Sequence, residues 1–172
     1  MEIFTPLTAE TIEKLRAGDT VLLSGVIYTA RDAAHARMAE ALRNKKEPPM
    51  DYAGQVVFYA GPCPAPPGKP VGSIGPTTAG RMDAYAPALI AAGLKAMIGK
   101  GERSRAVTDA IKAHKGIYFA AVGGVAALLA KCVRSSQRVA YDDLGTEAIH
   151  KLTVEKFPLI VATDCTGESV YL

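Results

Sequence analysis

Apolar and polar positions along the chain switch between a helical and an extended period, and the switches mark out the elements. Ile12 and Leu15 fall at helical spacing after Thr8, which is suited to cap a helix from Ala9 to Ala17 that Gly18 ends. Asp19–Ser24 (DTVLLS) has the length and composition of a buried strand. Arg31–Asn44 is rich in alanine and carries Met38, Ala41 and Leu42 at helical spacing, and Gln55–Tyr59 (QVVFY) predicts a second strand. Between Gly61 and Gly75 the prolines at 62, 64, 66, 67 and 70 forbid a regular helix or central strand and predict a stiff, positioned loop. Helical character returns over Met82–Ala92, where Pro87 either kinks the helix or starts its second part.

The second half repeats the alternation. Ala96–Ile98 is a strand, Ser104 caps a helix to about His114, Gly116–Ala121 is a strand, Val125–Lys131 a helix and Arg138–Tyr141 a strand. Ala148–Val154 fits either period. Pro158 precedes a strand over Leu159–Thr163, which Thr166–Gly167 turns back into Ser169–Leu172 as a terminal hairpin. With neither repeat nor linker, the pattern predicts one α/β domain over residues 1–172, with a mixed central sheet flanked by helices.

Composition narrows the classes. The chain has 172 residues, 49% of them apolar and 22% charged, which suits one soluble domain with its own core. A net charge of +3 without a basic stripe argues against nucleic acid and leaves room for a small anion. The cluster Arg43, Lys45, Lys46 reads as a solvated helix end. The longest apolar stretch, near Ile117–Ala130, is too short and broken by Gly123 and Gly124 to span a membrane, and the N-terminus lacks the pattern of a signal peptide. The three cysteines, Cys63, Cys132 and Cys165, are far apart and form no C-x-x-C. They predict neither a disulfide framework nor a self-contained metal or iron–sulfur site, and they fit a reducing, cytoplasmic compartment.

Three glycine-flanked segments place polar residues at element ends. Ser24–Arg37 (SGVIYTARDAAHAR) runs from a strand into a helix, where free backbone N–H groups and the positive dipole end suit an anion. There Arg31 offers a carboxylate fork, Asp32 can cap the helix or orient Arg31, and His35 lies one turn on. Gly72–Asp83 (GSIGPTTAGRMD) holds Thr77 and Arg81 four apart, hence on one face if helical. Ile98–Ser104 (IGKGERS) aims Lys100 from between two glycines; it is not a P-loop. The first two have a plain alternative in a capped helix with surface charges, and a Gly-Lys-Gly run alone carries little. Gly123–Gly124 could bind an anion or serve close packing. Among the rest, His114 reads as a helix-end residue, His150 as surface, Asp142–Asp143 as a loop N-cap, and the cysteines as space-filling.

Taken in order, SGVIYTARDAAHAR, YAGPCPAPPGKPVGSIGPTTAGRMD and MIGKGERS resemble the β subunit of class I, iron–sulfur-dependent fumarases, the C-terminal domain of the single-chain enzymes, and the related L(+)-tartrate dehydratase β subunit. The resemblance continues through YFAAVGGVAALLAK, VAYDDLGTEAI and FPLIVATD. It implies a swivelling β/β/α domain and a partner α subunit whose cysteines hold a [4Fe–4S] cluster, and it suggests an α₂β₂ assembly. It also implies that Arg31, Arg81 and Lys100 bind the carboxylates of a small dicarboxylate, that Thr77 sits near the carbon that gains or loses a proton, and that Asp32 and His35 support them. This chain would contribute no metal ligand. Reversible hydration of fumarate to malate is the leading expectation, with dehydration of L-tartrate as the close alternative and a non-catalytic anion-binding module as the alternative of another class. In the isolated chain, the Gly61–Gly75 loop and the three cations should lie open to solvent.

Overall fold

The computed structural model describes residues 1–122 and 124–171. Seven strands form one mixed sheet: β1 (Glu2–Phe4), β2 (Thr20–Thr29), β3 (Val56–Phe58), β4 (Ala96–Gly99), β5 (Ile117–Ala120), β6 (Val133–Ala140) and β7 (Ile149–Thr163). Five helices accompany them: α1 (Ala9–Lys14), α2 (Asp32–Arg43), α3 (Ala86–Ala91), α4 (Arg105–His114) and α5 (Ala126–Ala130). Strands β1 to β5 run parallel to their neighbours, and β7 runs antiparallel to β5, β6 and β2. The pairings β2–β3–β4–β5–β7–β2 therefore return to their start, so the sheet curls on itself with β1 and β6 as flanges.

Alternation along the strands divides the core in two. Val56, Phe58, Ile98, Phe119, Phe157 and Val161 pack with Ile12 of α1, Leu15 just after it and Leu129 of α5. The intervening positions, Val57, Tyr59, Met97, Tyr118 and Ala162, pack under α2, α3 and α4. Both faces of the parallel strands are buried, which is why those segments read as continuous apolar runs. Each fully buried Leu or Phe contributes about 2 kcal/mol by area.

Several boundaries move. Strand β2 does not stop at Ser24 but continues to Thr29, past a register shift between Leu23 and Gly25. Gly25 has φ +116°, and a Cβ there would come within 2.3 Å of Thr5 Oγ1, so this glycine makes a bulge rather than an end. Ala148–Val154 resolves as strand, and β7 runs from there to Thr163 without a break at Pro158. Val161 directs both its N–H and its carbonyl to the Gly18–Asp19 side, so Pro158, at odd spacing from it, faces the other edge. On that edge β7 has left β6 at Val154 and first meets β5 at Ile160, so the missing N–H deprives no neighbour.

Strand β6 begins five residues before Arg138. Helix α1 is shorter than its apolar pattern, ending at Lys14, and Pro87 lies in the first turn of α3, after a separate 3₁₀ turn over Ala79–Met82. Gly123 lies outside the described residues, as does Leu172, the end of the expected terminal strand. The expected hairpin is reduced to one bridge, Thr163 with Ser169. Its turn is held by Asp164, whose Oδ1 accepts from Thr166 N–H at 2.9 Å and from the Thr166 hydroxyl at 2.7 Å, while Oδ2 accepts from Ala17 N–H at 3.1 Å.

Candidate functional site

The three polar segments leave the carboxyl ends of the adjacent parallel strands β2, β3 and β4, the end of an α/β sheet where ligands bind. The chain leaves β2 at Ala30, whose N–H donates to Phe58 O at 3.0 Å, and enters α2 at Arg31. The Arg31 carbonyl accepts from His35 N–H at 2.9 Å and from His35 Nδ1 at 2.8 Å. A carbonyl only accepts, so Nδ1 carries the proton and Nε2 is the bare nitrogen. His35 is fully buried, edge-on to the Tyr59 ring at 5.1 Å, and burial lowers its pKa to about 4. The ring is neutral near pH 7.

The proline loop ends at Thr77. Its N–H donates to Tyr59 O at 2.6 Å, its carbonyl accepts from Lys100 N–H at 3.3 Å, and Ala79 N–H donates to Lys100 O at 2.8 Å. Thr77–Ala79 thus extends the sheet beyond β3 and alongside Lys100. Gly99 permits this approach, because a Cβ there would lie 2.9 Å from Tyr59 Cδ2 and 3.0 Å from Ala79 Cβ. The shared helical face expected for Thr77 and Arg81 does not exist: Thr77 is extended, and the 3₁₀ turn holding Arg81 starts at Ala79. Neither does a threonine side chain cap that turn.

Arg81 reaches back to α2 and forms an ion pair with Asp32 Oδ2. Asp32 therefore orients Arg81 and not Arg31, joining the first segment to the second. The free N–H groups at the start of α2 are also not all open to a ligand, since Ala33 N–H donates to Glu147 Oε1 at 3.2 Å. Arg31 runs along the backbone of Gly61, where a Cβ would come 3.3 Å from Arg31 Cδ. Lys100 and Arg81 are exposed and Arg31 is half-buried. Three side-chain atoms of this corner, Arg31 Nε, Asp32 Oδ1 and His35 Nε2, are buried without a hydrogen-bond partner. Native proteins seldom leave such groups unpaired, so this corner has unused capacity for a polar group.

Arg31, Thr77, Arg81 and Lys100 thus meet at one end of the sheet, with Asp32 as the link. The isolated chain leaves Arg81, Lys100 and loop residues Cys63–Lys69 open, but Arg31 is partly covered, and Val71 and Ile74 of the loop are core residues.

Two residues of this region escaped the sequence reading. Arg103 is buried, its Nε donates to Asp83 Oδ1 at 2.8 Å and its Nη2 to Tyr59 OH at 3.1 Å, and it stacks over Tyr59 and Tyr118. Asp83 Oδ2 also accepts from Ser104 N–H at 2.6 Å. This pair clamps the Lys100 loop to the Arg81 turn. Nothing in a Gly-Glu-Arg-Ser run marks its arginine as interior. Glu147 is the other, 114 residues from the helix it caps.

Asp143 does not cap a loop but pairs with Arg37. His150 is half-buried rather than surface, and burial lowers its pKa. His114 ends α4, and its carbonyl accepts from Lys95 Nζ at 2.7 Å. Cys165 is buried and Cys132 partly so, whereas Cys63 is exposed and fills no space. A cluster does not fit these cysteines. Cys63 lies in the proline loop, Cys132 before β6 and Cys165 after β7, and the described residues contain no group of three His, Cys, Asp or Glu able to hold a metal.

A family model described as Fumarase C-terminus matches residues 1–172. The chain is 44% identical over 151 residues to the anaerobic class I fumarate hydratase of Escherichia coli K12, covering 87% of this chain and 28% of that protein. To fumarate hydratase 2 of Leishmania major it is 39% identical over 164 residues, 94% of this chain and 29% of that one. To the putative L(+)-tartrate dehydratase subunit beta of Methanocaldococcus jannaschii it is 39% identical over 178 residues, 98% of this chain and 89% of that one. The chain thus spans less than a third of the fumarate hydratases and nearly all of the β subunit.

Proposed function

The chain belongs to the Fumarase C-terminus family, and on that premise we propose that it is the cation-bearing β half of a two-chain hydro-lyase, most simply a fumarate hydratase. The observation that carries this reading is the convergence of Arg31, Thr77, Arg81 and Lys100 at the carboxyl ends of β2, β3 and β4, in a chain whose cysteines cannot hold a cluster. On this reading a partner α subunit would hold the [4Fe–4S] cluster, which would supply Lewis-acid chemistry at the substrate hydroxyl.

The residues of this chain handle the other side of the reaction. Removing a proton beside a carboxylate spreads negative charge into that carboxylate, and fixed cations stabilise it most where water is excluded. Arg81 and Arg31 offer planar forks for carboxylates, and Lys100 a point charge. Asp32 holds Arg81 in place before the substrate arrives. Thr77, anchored through its backbone to Tyr59 and Lys100, would sit near the carbon that gains or loses a proton; its neutral hydroxyl is a poor base alone, so it can relay that proton only to a neighbouring group. Closure over the partner would expel water and raise the worth of each charge.

L-tartrate dehydration is the second reading, supported by the match to nearly the whole length of the M. jannaschii β subunit. The substrates differ by one hydroxyl, which a few pocket groups must accept or reject. Anaerobic co-expression with the α subunit, then parallel assays on fumarate, malate and L-tartrate, separates the readings; a pair that turns over none of the three sinks both. In that pair Arg81→Ala is expected to lower kcat/KM by about a hundredfold or more. Unchanged turnover would remove Arg81 from the site.

A further inference from the structure

Behind the proline loop lies a cavity of about 240 Å³ that the cation site does not use. It is lined by Pro62 and Cys63 of the loop, by Thr146 beside Gly145, and by Ser136, the exposed Arg138 and the half-buried His150. Arg138 and His150 are direct partners across β6 and β7, with Ser136 two residues away on the same face. On its other side His150 is paired with Thr29, whose Oγ1 accepts from His150 N–H at 3.1 Å. His150 Nδ1 lies 3.0 Å from Ala148 O. That carbonyl can only accept, so Nδ1 is the donor and Nε2 is left as the ring's free acceptor.

Arg134, on the same strand, finds its carboxylate across the strand pair in Glu155, at 2.7 Å. Arg138 has no ion pair among the described residues and faces a histidine acceptor instead. The acidic group whose charge reaches His150 is Asp142. The cavity thus offers a cationic fork and a lone-pair nitrogen side by side.

We propose that this cavity is a second ligand site, for a small hydroxycarboxylate whose carboxylate lies on the Arg138 guanidinium and whose hydroxyl donates to His150 Nε2. A sulfate dianion satisfies the guanidinium but brings no proton to Nε2. The site adjoins the cation site without sharing its charges. The two adjoin at Gly61, where an added Cβ would lie 3.0 Å from Thr146 O and 3.3 Å from Arg31 Cδ.

The test uses the full chain carrying Arg81→Ala and Lys100→Ala, so that its result does not depend on the hydro-lyase reading. L-malate, succinate (the same diacid without the hydroxyl) and sulfate are titrated while backbone amide shifts and the alkylation rate of Cys63, relative to Cys132, are followed. L-malate is expected to saturate one site, shift the amides of Ser136, Arg138 and His150, and slow alkylation of Cys63. Succinate should bind roughly fivefold or more weakly. Adding Arg138→Ala should weaken L-malate by about tenfold or more, with the urea midpoint unchanged. Should that variant not fold, Arg138→Lys, which keeps the charge and loses the fork, is expected to weaken binding too. The proposal is overturned if these amides show no saturable shift, if neither Arg138 variant affects binding, or if succinate or sulfate binds as tightly as L-malate.

Discussion

His35 shows how one buried side chain ties the site to stability. Burial lowers its pKa from 6.5 to about 4, so between those values the unfolded chain binds a proton that the folded chain refuses. Stability is therefore complete above pH 6.5 and falls as pH drops towards 4, by about 3 kcal/mol across the window. The half-buried His150 adds a loss of the same sign. Urea midpoints measured from pH 7 down to 4.5 should fall steeply, and His35→Gln should flatten the slope; parallel slopes would show that His35 does not carry the effect. Arg31 and Asp32 beside it matter differently. Their types are legible in TARDAAH, but which carboxylate holds which guanidinium is not, because Asp32 finds Arg81 across 49 residues of sequence.

Elements fail to specify themselves where partners decide. Gly25 looks like a strand end and is a bulge, because β7 supplies pairing on both sides of it. Pro158 looks like a break and lies in an uninterrupted strand, because it falls in a gap between two neighbours. The loop Gly61–Gly75 was legible from its prolines, but its closure was not. Cys63 N–H donates to Ser73 O at 3.0 Å and Gly72 N–H to Cys63 O at 3.0 Å, so the two limbs zip together, and a Cβ on Gly72 would lie 2.6 Å from Pro64 O. The link between the 3₁₀ turn and the β4–α4 loop depends on Arg103 with Asp83. Arg103→Ala leaves the Asp83 carboxylate unpaired against Ser104 and Tyr59 without its partner. It should cost about 3–5 kcal/mol in urea unfolding. A loss below about 1 kcal/mol would mean that the clamp is dispensable.

At the scale of the whole molecule, the curled sheet gathers three strand ends, and with them the cations, at one rim. No helix among the described residues is long and apolar enough to cross a membrane. The chain spans only 28% of the length of the E. coli fumarate hydratase it matches, so in the proposed enzyme the remaining machinery lies outside it. Metal removal separates the two halves. Chelation of the reconstituted pair should abolish turnover, while the isolated chain should unfold at the same urea concentration with and without chelator. A chelator-dependent midpoint for this chain alone would mean that it holds metal itself.

The α/β class, the stiff loop, the three polar segments and the family are all readable along the chain, because these depend on local period, on proline and glycine stereochemistry, and on residue types in a fixed order. The folded arrangement alone shows that the sheet closes through β7, that Asp32 serves Arg81, that Glu147 caps α2, that Arg103 is interior, and that Arg138 lies beside His150 at a cavity. Each of these joins residues far apart in the chain. Their energy comes from contacts that exist only after the intervening chain has folded, so no local pattern records them.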